Sequence, residues 1–202
     1  NVKYHELYIW TPFAASFHTL EAFGKLVNDD HEMIVEGNFD EISQRDATHW
    51  GYFTPNGYFG WIGDKNFPEG TSLALDNTVF FSSPQSIRLI SNRPAGVNVM
   101  QVFYHSKFKP NTTYRISCLA KLENVVATKA NGGFGLNLWD DANRWHPKST
   151  WMTGNTGWTY ISFTHKTSAT VDKSPRSYLR LWLHNATGTV WVDDVSVEEI
   201  VE

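Results

Sequence analysis

The stretch Ser177–Val197 constrains the fold most, because its apolar side chains recur at every second position. Three leucines share one set of alternate positions: Leu179, Leu181 and Leu183. The alternate positions that separate and follow these leucines are occupied by Arg180, Trp182 and His184. Because a β-strand has a side-chain period of two, these two sets lie on opposite faces. The sequence predicts a strand with its leucines on a core and an aromatic, guanidinium and imidazole row on the other face.

We expect this strand to form a hairpin with the strand that follows it. The segment Asn185–Thr189 contains Asn and Gly, which tolerate positive φ and favour a turn. Val190–Val197 then alternates again, as a returning strand would. The outward row Arg180, Trp182 and His184 is the first candidate for a binding surface.

From His31 onward the sequence contains short alternating segments separated by turn residues, and it shows no convincing helix. The clearest segments are Tyr114–Leu122, Phe134–Trp139 and Trp158–His165. Many short strands with turns between them are typical of an antiparallel β-sandwich or jelly roll. We therefore predict one all-β domain over residues 31–202.

The first 30 residues follow a different pattern. Lys3–Trp10 alternates like a strand, and Pro12–Val27 carries apolar residues at helical spacing after the N-cap candidate Thr11. The sequence predicts a short strand-helix extension over residues 1–30, either a linker or the tail of a neighbouring domain. We expect Asn1 to mark either a cut from a longer chain or a mature N-terminus.

Composition excludes several classes of partner. No apolar run approaches the roughly 18 residues of a membrane span, so no membrane partner is expected. The net charge of −4 argues against nucleic acid. The single cysteine, Cys118, lies in an alternating strand and is expected to be a small buried apolar residue. Nine tryptophans exceed what a core of this size requires and predict flat surfaces for stacking.

Three motifs in this order resemble the carbohydrate-binding modules of families 4, 9 and 22. The first, Glu36–Asp40, is similar to the family's opening motif, and the second, Lys109–Ser117, is similar to its central turn and strand. The third consists of Gly157–Tyr160 followed by Thr189–Val197 and is similar to the family's closing strand. The first motif ends in Asp where the family has Glu. The resemblance implies a jelly roll that binds polysaccharide or oligosaccharide without chemistry. It also implies a secreted polysaccharide-degrading enzyme whose catalytic domain belongs to the same longer chain.

The resemblance further implies a structural calcium ion that joins the first and last strands. Its ligands would be Asp40 and Asp193, with backbone carbonyls near Ser82–Gln85. A Ser stands in this middle loop where the family has a carboxylate. Ca²⁺ takes about six to eight oxygen ligands, so carboxylates from distant segments could hold it. The alternative is that both aspartates cap turns or face solvent, and Asp194 alternates to the other face.

The predicted glycan-binding face contains the residues left after the core-facing positions of each strand are removed. They are Trp182, Arg180, His184, Trp139, Asn137, Phe103, Gln101 and His105. The last three belong there provided that Met100, Val102 and Tyr104 point inward. Aromatic rings stack on the C–H face of a sugar, while amide and cationic groups bind its hydroxyls. Guanidinium and imidazole groups would also suit an acidic or sulfated glycan.

Three alternatives remain open. The loop clusters Trp50–Trp61 and Trp139–Trp151 could instead form a site at the sandwich rim. A structural accessory domain would pack on a catalytic partner without binding sugar, and buried Trp139 and Trp182 would favour it. A polysaccharide lyase would use a set on one concave sheet: Tyr160, His105, His184, Arg180 and Gln101. A glycoside hydrolase needs two facing carboxylates, and adjacent aspartates on a strand point apart, so we predict no enzyme.

Overall fold

The computed structural model describes residues 37–39, 50–53, 59–61, 67, 69–82, 84–94, 96–104, 108–140, 148–174 and 176–201. The chain divides into two units, Asn1–Glu32 and Met33–Glu202, and every described residue belongs to the second. The strand-helix extension predicted over residues 1–30 lies outside the described residues and stays a prediction.

The described residues form ten β-strands. They are β1 (Trp50–Phe53), β2 (Phe59–Trp61), β3 (Thr71–Asp76), β4 (Ser86–Ser91), β5 (Gly96–Tyr104), β6 (Thr113–Ala127), β7 (Gly133–Asp140), β8 (Gly154–Lys166), β9 (Arg176–His184) and β10 (Ala186–Glu199). One 3₁₀ turn, Val171–Lys173, is the only helical segment in these ranges. Nothing in the described part of the chain is a helix with the length and apolar character of a membrane span.

Two antiparallel five-stranded sheets make up the domain. We call the first sheet A, with strand order β2-β1-β5-β9-β7, and the second sheet B, with strand order β3-β4-β10-β6-β8. Every pairing between strands is antiparallel. The predicted all-β antiparallel sandwich is confirmed.

The core consists of the alternating apolar residues on the inner faces of the two sheets. Sheet A contributes Val97, Val99, Phe134, Leu136, Leu179, Leu181 and Leu183, and sheet B contributes Ile87, Leu89, Ile116, Cys118, Ala120, Val190 and Val192. All of these are buried. Burial raises the pKa of the Cys118 thiol, so this residue is a small apolar core residue, as predicted.

The predicted hairpin over Ser177–Val197 is wrong. β9 pairs with β5 and β7 in sheet A, whereas β10 pairs with β4 and β6 in sheet B. Both edges of each strand are already hydrogen-bonded, so the two strands cannot pair with each other. Asn185, at φ 41°, carries the chain from one sheet to the other. The leucines of β9 and the valines of β10 therefore belong to opposite walls of one core.

Candidate functional site

The outer face of sheet A collects five of the predicted site residues. On β9, Tyr178, Arg180, Trp182 and His184 alternate with fully buried leucines. The register pairs these positions with neighbours on both sides, and paired residues in an antiparallel sheet lie on the same face. The resulting outer set is Asn98, Asn137, Trp139, Tyr178, Arg180, Trp182 and His184. The predicted residues Trp182, Arg180, His184, Trp139 and Asn137 thus share one face.

The predicted residues Gln101 and Phe103 lie on β5, opposite Leu179 and Ser177 of β9. Their side chains, and those of Met100, Val102 and Tyr104, lie outside what the structure describes, so their place on this face stays a prediction. His105 lies outside the described residues.

A continuous stack of rings and one cation runs along β9. Trp139 stacks on Tyr178, with 5.7 Å between ring centroids and 8° between the planes. The Arg180 guanidinium carbon lies 5.4 Å from the Tyr178 centroid and 4.4 Å from the Trp182 centroid. His184 follows, 4.0 Å from Trp182. Cation–π contacts hold the guanidinium between two aromatic rings and fix its position.

Trp151 completes this stack, although the sequence placed it only in a loop cluster at the rim. Residues 148–152 run along the free edge of β7, where Phe134 and Met152 exchange two backbone hydrogen bonds of 2.8 and 2.9 Å. The Trp151 ring lies 5.1 Å from the His184 ring and 6.0 Å from the Trp182 ring. Lys148 Nζ lies 4.9 Å from the Trp151 centroid. We call Trp139, Tyr178, Arg180, Trp182, His184 and Trp151 the aromatic row.

Gly135 makes this position of Trp151 possible. A Cβ atom at Gly135 would lie 2.7 Å from Ser149 Oγ and 3.0 Å from the Trp151 ring. Ser149 Oγ is itself fixed, because it accepts a hydrogen bond from the Leu136 amide. Neither neighbour can stay in place beside a larger residue, so a glycine is required under the ring.

We expect Gly135→Ala to displace Trp151 while leaving the sandwich folded. The added methyl group pushes the indole away from His184, which should change tryptophan fluorescence and weaken glycan binding by about tenfold. The matched control is Gly157→Ala, because a Cβ atom at Gly157 meets nothing within 4 Å. Equal fluorescence and equal affinity in the two variants would contradict this role of Gly135.

Several polar atoms of the aromatic row are buried without a partner in the described part of the structure. They are Arg180 Nε, Trp151 Nε1, His184 Nδ1 and, beside them on β5, Asn98 Oδ1. Burial lowers the pKa of Arg180 and of His184, and the positive charges of Lys148, Arg180 and Lys129 lower the pKa of His184 further. His184 is therefore neutral at pH 7, so its two ring nitrogens differ in role.

The lyase set predicted from sequence is not brought together. Tyr160 lies on β8 in sheet B, where its side chain is 58% exposed, whereas Arg180 and His184 lie on the outer face of sheet A. No base–acid pair of this composition forms among the described residues.

The predicted calcium ligand Asp193 is fully buried and already accepts four hydrogen bonds. Its Oδ2 accepts from the amides of Phe81 and Ser82 at 2.9 and 3.0 Å. Its Oδ1 accepts from the Ser82 hydroxyl at 3.1 Å and the Asp194 amide at 2.9 Å. Burial raises the pKa of Asp193, although these hydrogen bonds act in the opposite direction. The loop near Ser82 thus contacts Asp193 with donors.

Asp194 lies beside the same serine, contrary to the expected alternation. Its φ of 47° and a register shift between Asp193 and Ser196 mark a β-bulge in β10. The bulge turns Asp194 back, so its Oδ1 lies 2.9 Å from Ser82 Oγ. The expectation that Asp194 points away from Asp193 is therefore wrong.

The described residues around Asp193 do not fit a calcium ion. Both carboxylate oxygens face N–H or O–H groups, whereas Ca²⁺ requires oxygen lone pairs. Within the described ranges, no group of three or more His, Cys, Asp or Glu side chains could hold a metal. Asp40 lies outside those ranges. Two hydrogen bonds join residues 37–39 to the later part of the chain. The Val195 amide donates to the Gly37 carbonyl, and the Gln85 side-chain amide donates to the Phe39 carbonyl.

We expect the melting temperature of this domain to be the same in excess EDTA and in millimolar Ca²⁺. The reason is that the buried carboxylate of Asp193 is satisfied by protein donors, so the folded state gains nothing from the ion. Differential scanning calorimetry after exhaustive chelation checks this. A rise of several degrees on adding Ca²⁺, absent with Mg²⁺, would contradict this expectation and support the calcium prediction.

The sequence matches a known protein family over most of its length. The model of a family described as "Carbohydrate binding domain" matches residues 31–187. The chain belongs to this family. A sequence comparison with curated proteins gives no match. The match covers the described strands of sheet A and most of sheet B, so both the aromatic row and the sandwich belong to the carbohydrate-binding domain.

Solved structures share the fold of this carbohydrate-binding domain. A structure titled "CBM4 structure and function" matches with a TM-score of 0.51 and 15% identity, over 82% of this chain and 98% of the other. The C-terminal family 22 module of Clostridium thermocellum Xyn10B matches with a TM-score of 0.52 and 13% identity, over 84% and 92%. The enzymatically active domain of bacteriophage CBA120 tailspike protein 4 gives 0.54 and 13%, and the chain spans 21% of its length.

Proposed function

We propose that this carbohydrate-binding domain binds a polysaccharide or oligosaccharide along the outer face of sheet A. The observation that carries the proposal is the aromatic row, in which three tryptophans, one tyrosine, one imidazole and one guanidinium are in continuous contact. Indole rings offer flat apolar surfaces for the C–H face of a sugar, and the neighbouring amides and guanidinium suit its hydroxyl groups.

The partial exposure of the indoles supports ligand binding over a purely structural role. Trp139, Trp151 and Trp182 are half-buried, so part of each residue stays accessible to a ligand. An accessory domain that binds no sugar would favour buried indoles at these positions. In contrast, Trp191 on the outer face of sheet B is buried and hydrogen-bonded to Asp76, as a structural indole is.

A non-catalytic role is part of the proposal. Among the strand residues of sheet A, the only carboxylic acid is Asp140. Glycoside hydrolysis requires two carboxyl groups that flank the scissile bond. The aromatic row therefore has the composition of a surface that holds a glycan, and it lacks this pair.

The domain is further proposed to anchor a secreted polysaccharide-degrading enzyme to its glycan. This part rests on the family and on the occurrence of a similar fold inside the longer tailspike chain. A non-catalytic surface of this kind acts by raising the local concentration of a linked catalytic domain at the polymer. Neither nucleic acid nor a membrane is a proposed partner.

Affinity electrophoresis against a panel of neutral and acidic polysaccharides tests the proposal. We expect at least one polymer to retard the domain, and Trp139→Ala to reduce the retardation because it removes one end of the aromatic row. Failure of every polymer to retard the folded domain would contradict glycan binding and favour an accessory domain. Shortening of the polymer during incubation would contradict the non-catalytic part.

A further inference from the structure

Acidic residues are concentrated on sheet B. The strands of sheet B contain six acidic residues, Asp76, Glu123, Asp193, Asp194, Glu198 and Glu199. The strands of sheet A contain one, Asp140. The cationic side chains in or beside the aromatic row are Arg180, Lys148 and Lys129, whereas His184 is neutral. Among the described side chains, the outer face of sheet A is therefore positive in a chain whose net charge is −4.

Arg180 has no anionic partner among the described residues. Arg88 lies 3.0 Å from Asp76, and Arg115 lies 3.5 Å from Glu198, so the arginines of sheet B are paired. Arg180 makes cation–π contacts with the rings of Tyr178 and Trp182 and a hydrogen bond with the Tyr178 hydroxyl, and neither of these residues supplies a negative charge at neutral pH. Burying a guanidinium without a counter-charge is unfavourable, so this position is the natural place for an anion supplied by a ligand.

The same cluster has hydrogen-bond donors without acceptors. The Asn185 side-chain amide lies 2.8 Å from His184 Nε2 and donates to it, so neutral His184 carries its proton on Nδ1. That Nδ1–H, Trp151 Nε1–H and Arg180 Nε–H are all buried without a partner within the described structure. Three N–H groups in one cluster require oxygen acceptors, and a carboxylate or sulfate offers more of them than a hydroxyl does.

We propose that the glycan bound by the aromatic row is acidic, and that Arg180 binds its uronate carboxylate or sulfate group. This inference rests on the proposed glycan binding. Arg180 presents a planar fork of N–H donors, which matches the geometry of either anion. Trp182 and Trp151 then hold the sugar ring beside the charged group. Lys148 and Lys129 add an electrostatic attraction for the anionic group, which weakens as the ionic strength rises.

Matched pairs of polymers test this inference. Polygalacturonate, glucuronoxylan and chondroitin sulfate are each compared with their carboxyl-reduced forms, and chondroitin sulfate is also compared with its desulfated form. Affinities are measured by isothermal titration calorimetry for the unmodified domain and for Arg180→Met, which keeps an apolar side chain over Trp182 without the charge. Arg115→Met is the matched control, because Arg115 is exposed and pairs with Glu198 on sheet B.

We expect an acidic polymer to bind at least tenfold more tightly than the form from which the carboxylate or the sulfate has been removed. We also expect Arg180→Met to remove that difference, and Arg115→Met to keep it. Loss on carboxyl reduction identifies a uronate, and loss on desulfation identifies a sulfate. Equal or tighter binding of every such modified form would overturn the acidic preference and leave glycan binding intact. Binding of no polymer, acidic or neutral, would overturn the proposed function itself.

Discussion

Replacement of Trp182 by alanine is expected to weaken glycan binding by about 30-fold or more, which corresponds to ~2 kcal/mol. Trp182 is the centre of the aromatic row, because it contacts Arg180, His184 and Trp151. Its removal deletes one stacking surface and also frees the Arg180 guanidinium from its position. Calorimetric titration with the polymer identified by affinity electrophoresis measures the loss.

Tyr160→Ala is the matched control for this prediction. Tyr160 is an exposed aromatic residue on sheet B, so its removal takes away a ring of similar character far from the aromatic row. We expect its affinity to equal that of the unmodified domain, and both variants to keep the circular dichroism of the folded sandwich. Loss of binding in Tyr160→Ala with full binding in Trp182→Ala would place the glycan on sheet B.

Asp76→Ala is expected to have the largest effect on stability, about 3 kcal/mol in the free energy of unfolding. One oxygen of this buried carboxylate accepts from the Thr78 amide and hydroxyl and from the Val79 amide. The other accepts from Trp191 Nε1 at 2.9 Å and from Arg88 at 3.0 Å. Alanine would leave the buried indole N–H of Trp191 and the amides of Thr78 and Val79 without acceptors. Urea denaturation at pH 7 measures the resulting loss in the free energy of unfolding.

The same carboxylate makes stability depend on pH. Burial acts to raise the pKa of Asp76, but the hydrogen bonds from Thr78, Trp191 and Val79 outweigh it and hold the pKa well below its usual range. A lowered folded-state pKa stabilises the fold above the unfolded value of about 4, and this stability is lost as the pH falls below it. We therefore expect the cost of Asp76→Ala to be smaller at pH 3 than at pH 7.

Glu199→Ala provides the control for this pair of measurements. Glu199 lies 2.7 Å from Lys109, but both side chains are substantially exposed, and such surface pairs contribute less than about 1 kcal/mol. We expect only a small change in the free energy of unfolding. If Asp76→Ala cost no more than Glu199→Ala at pH 7, the assignment of Asp76 as a structural centre of sheet B would be wrong.

The period-two pattern of apolar residues is what made the fold predictable. Leu179, Leu181 and Leu183 are all fully buried, and the residues between them form the aromatic row. Side-chain alternation depends only on the local backbone, so sequence alone assigns the faces of a strand. The pairing of β9 and β10 was not predictable in this way, because a two-sheet sandwich can connect consecutive strands across its core.

The parts of the site that periodicity did not predict have equally local causes. In β5 nearly every residue is apolar, so alternation can be counted from either parity, and the place of Gln101 stays a prediction. A β-bulge at Asp194 reversed the expected direction of that carboxylate. Trp151 lies beside the row because Gly133 and Gly135 of β7 leave space for it and because an isolated bridge pairs Phe134 with Met152. Neither feature produces a periodic signal in the sequence.

A crystal structure with a bound oligosaccharide would show where on the sandwich the glycan lies. The oligosaccharide is cut from the polymer that gives the strongest retardation, and it is soaked into crystals of the unmodified domain. We predict sugar rings stacked on Trp182 and its neighbours in the aromatic row, on the outer face of sheet A. Sugar bound at the rim of the sandwich or on sheet B, with the aromatic row unoccupied, would contradict this prediction.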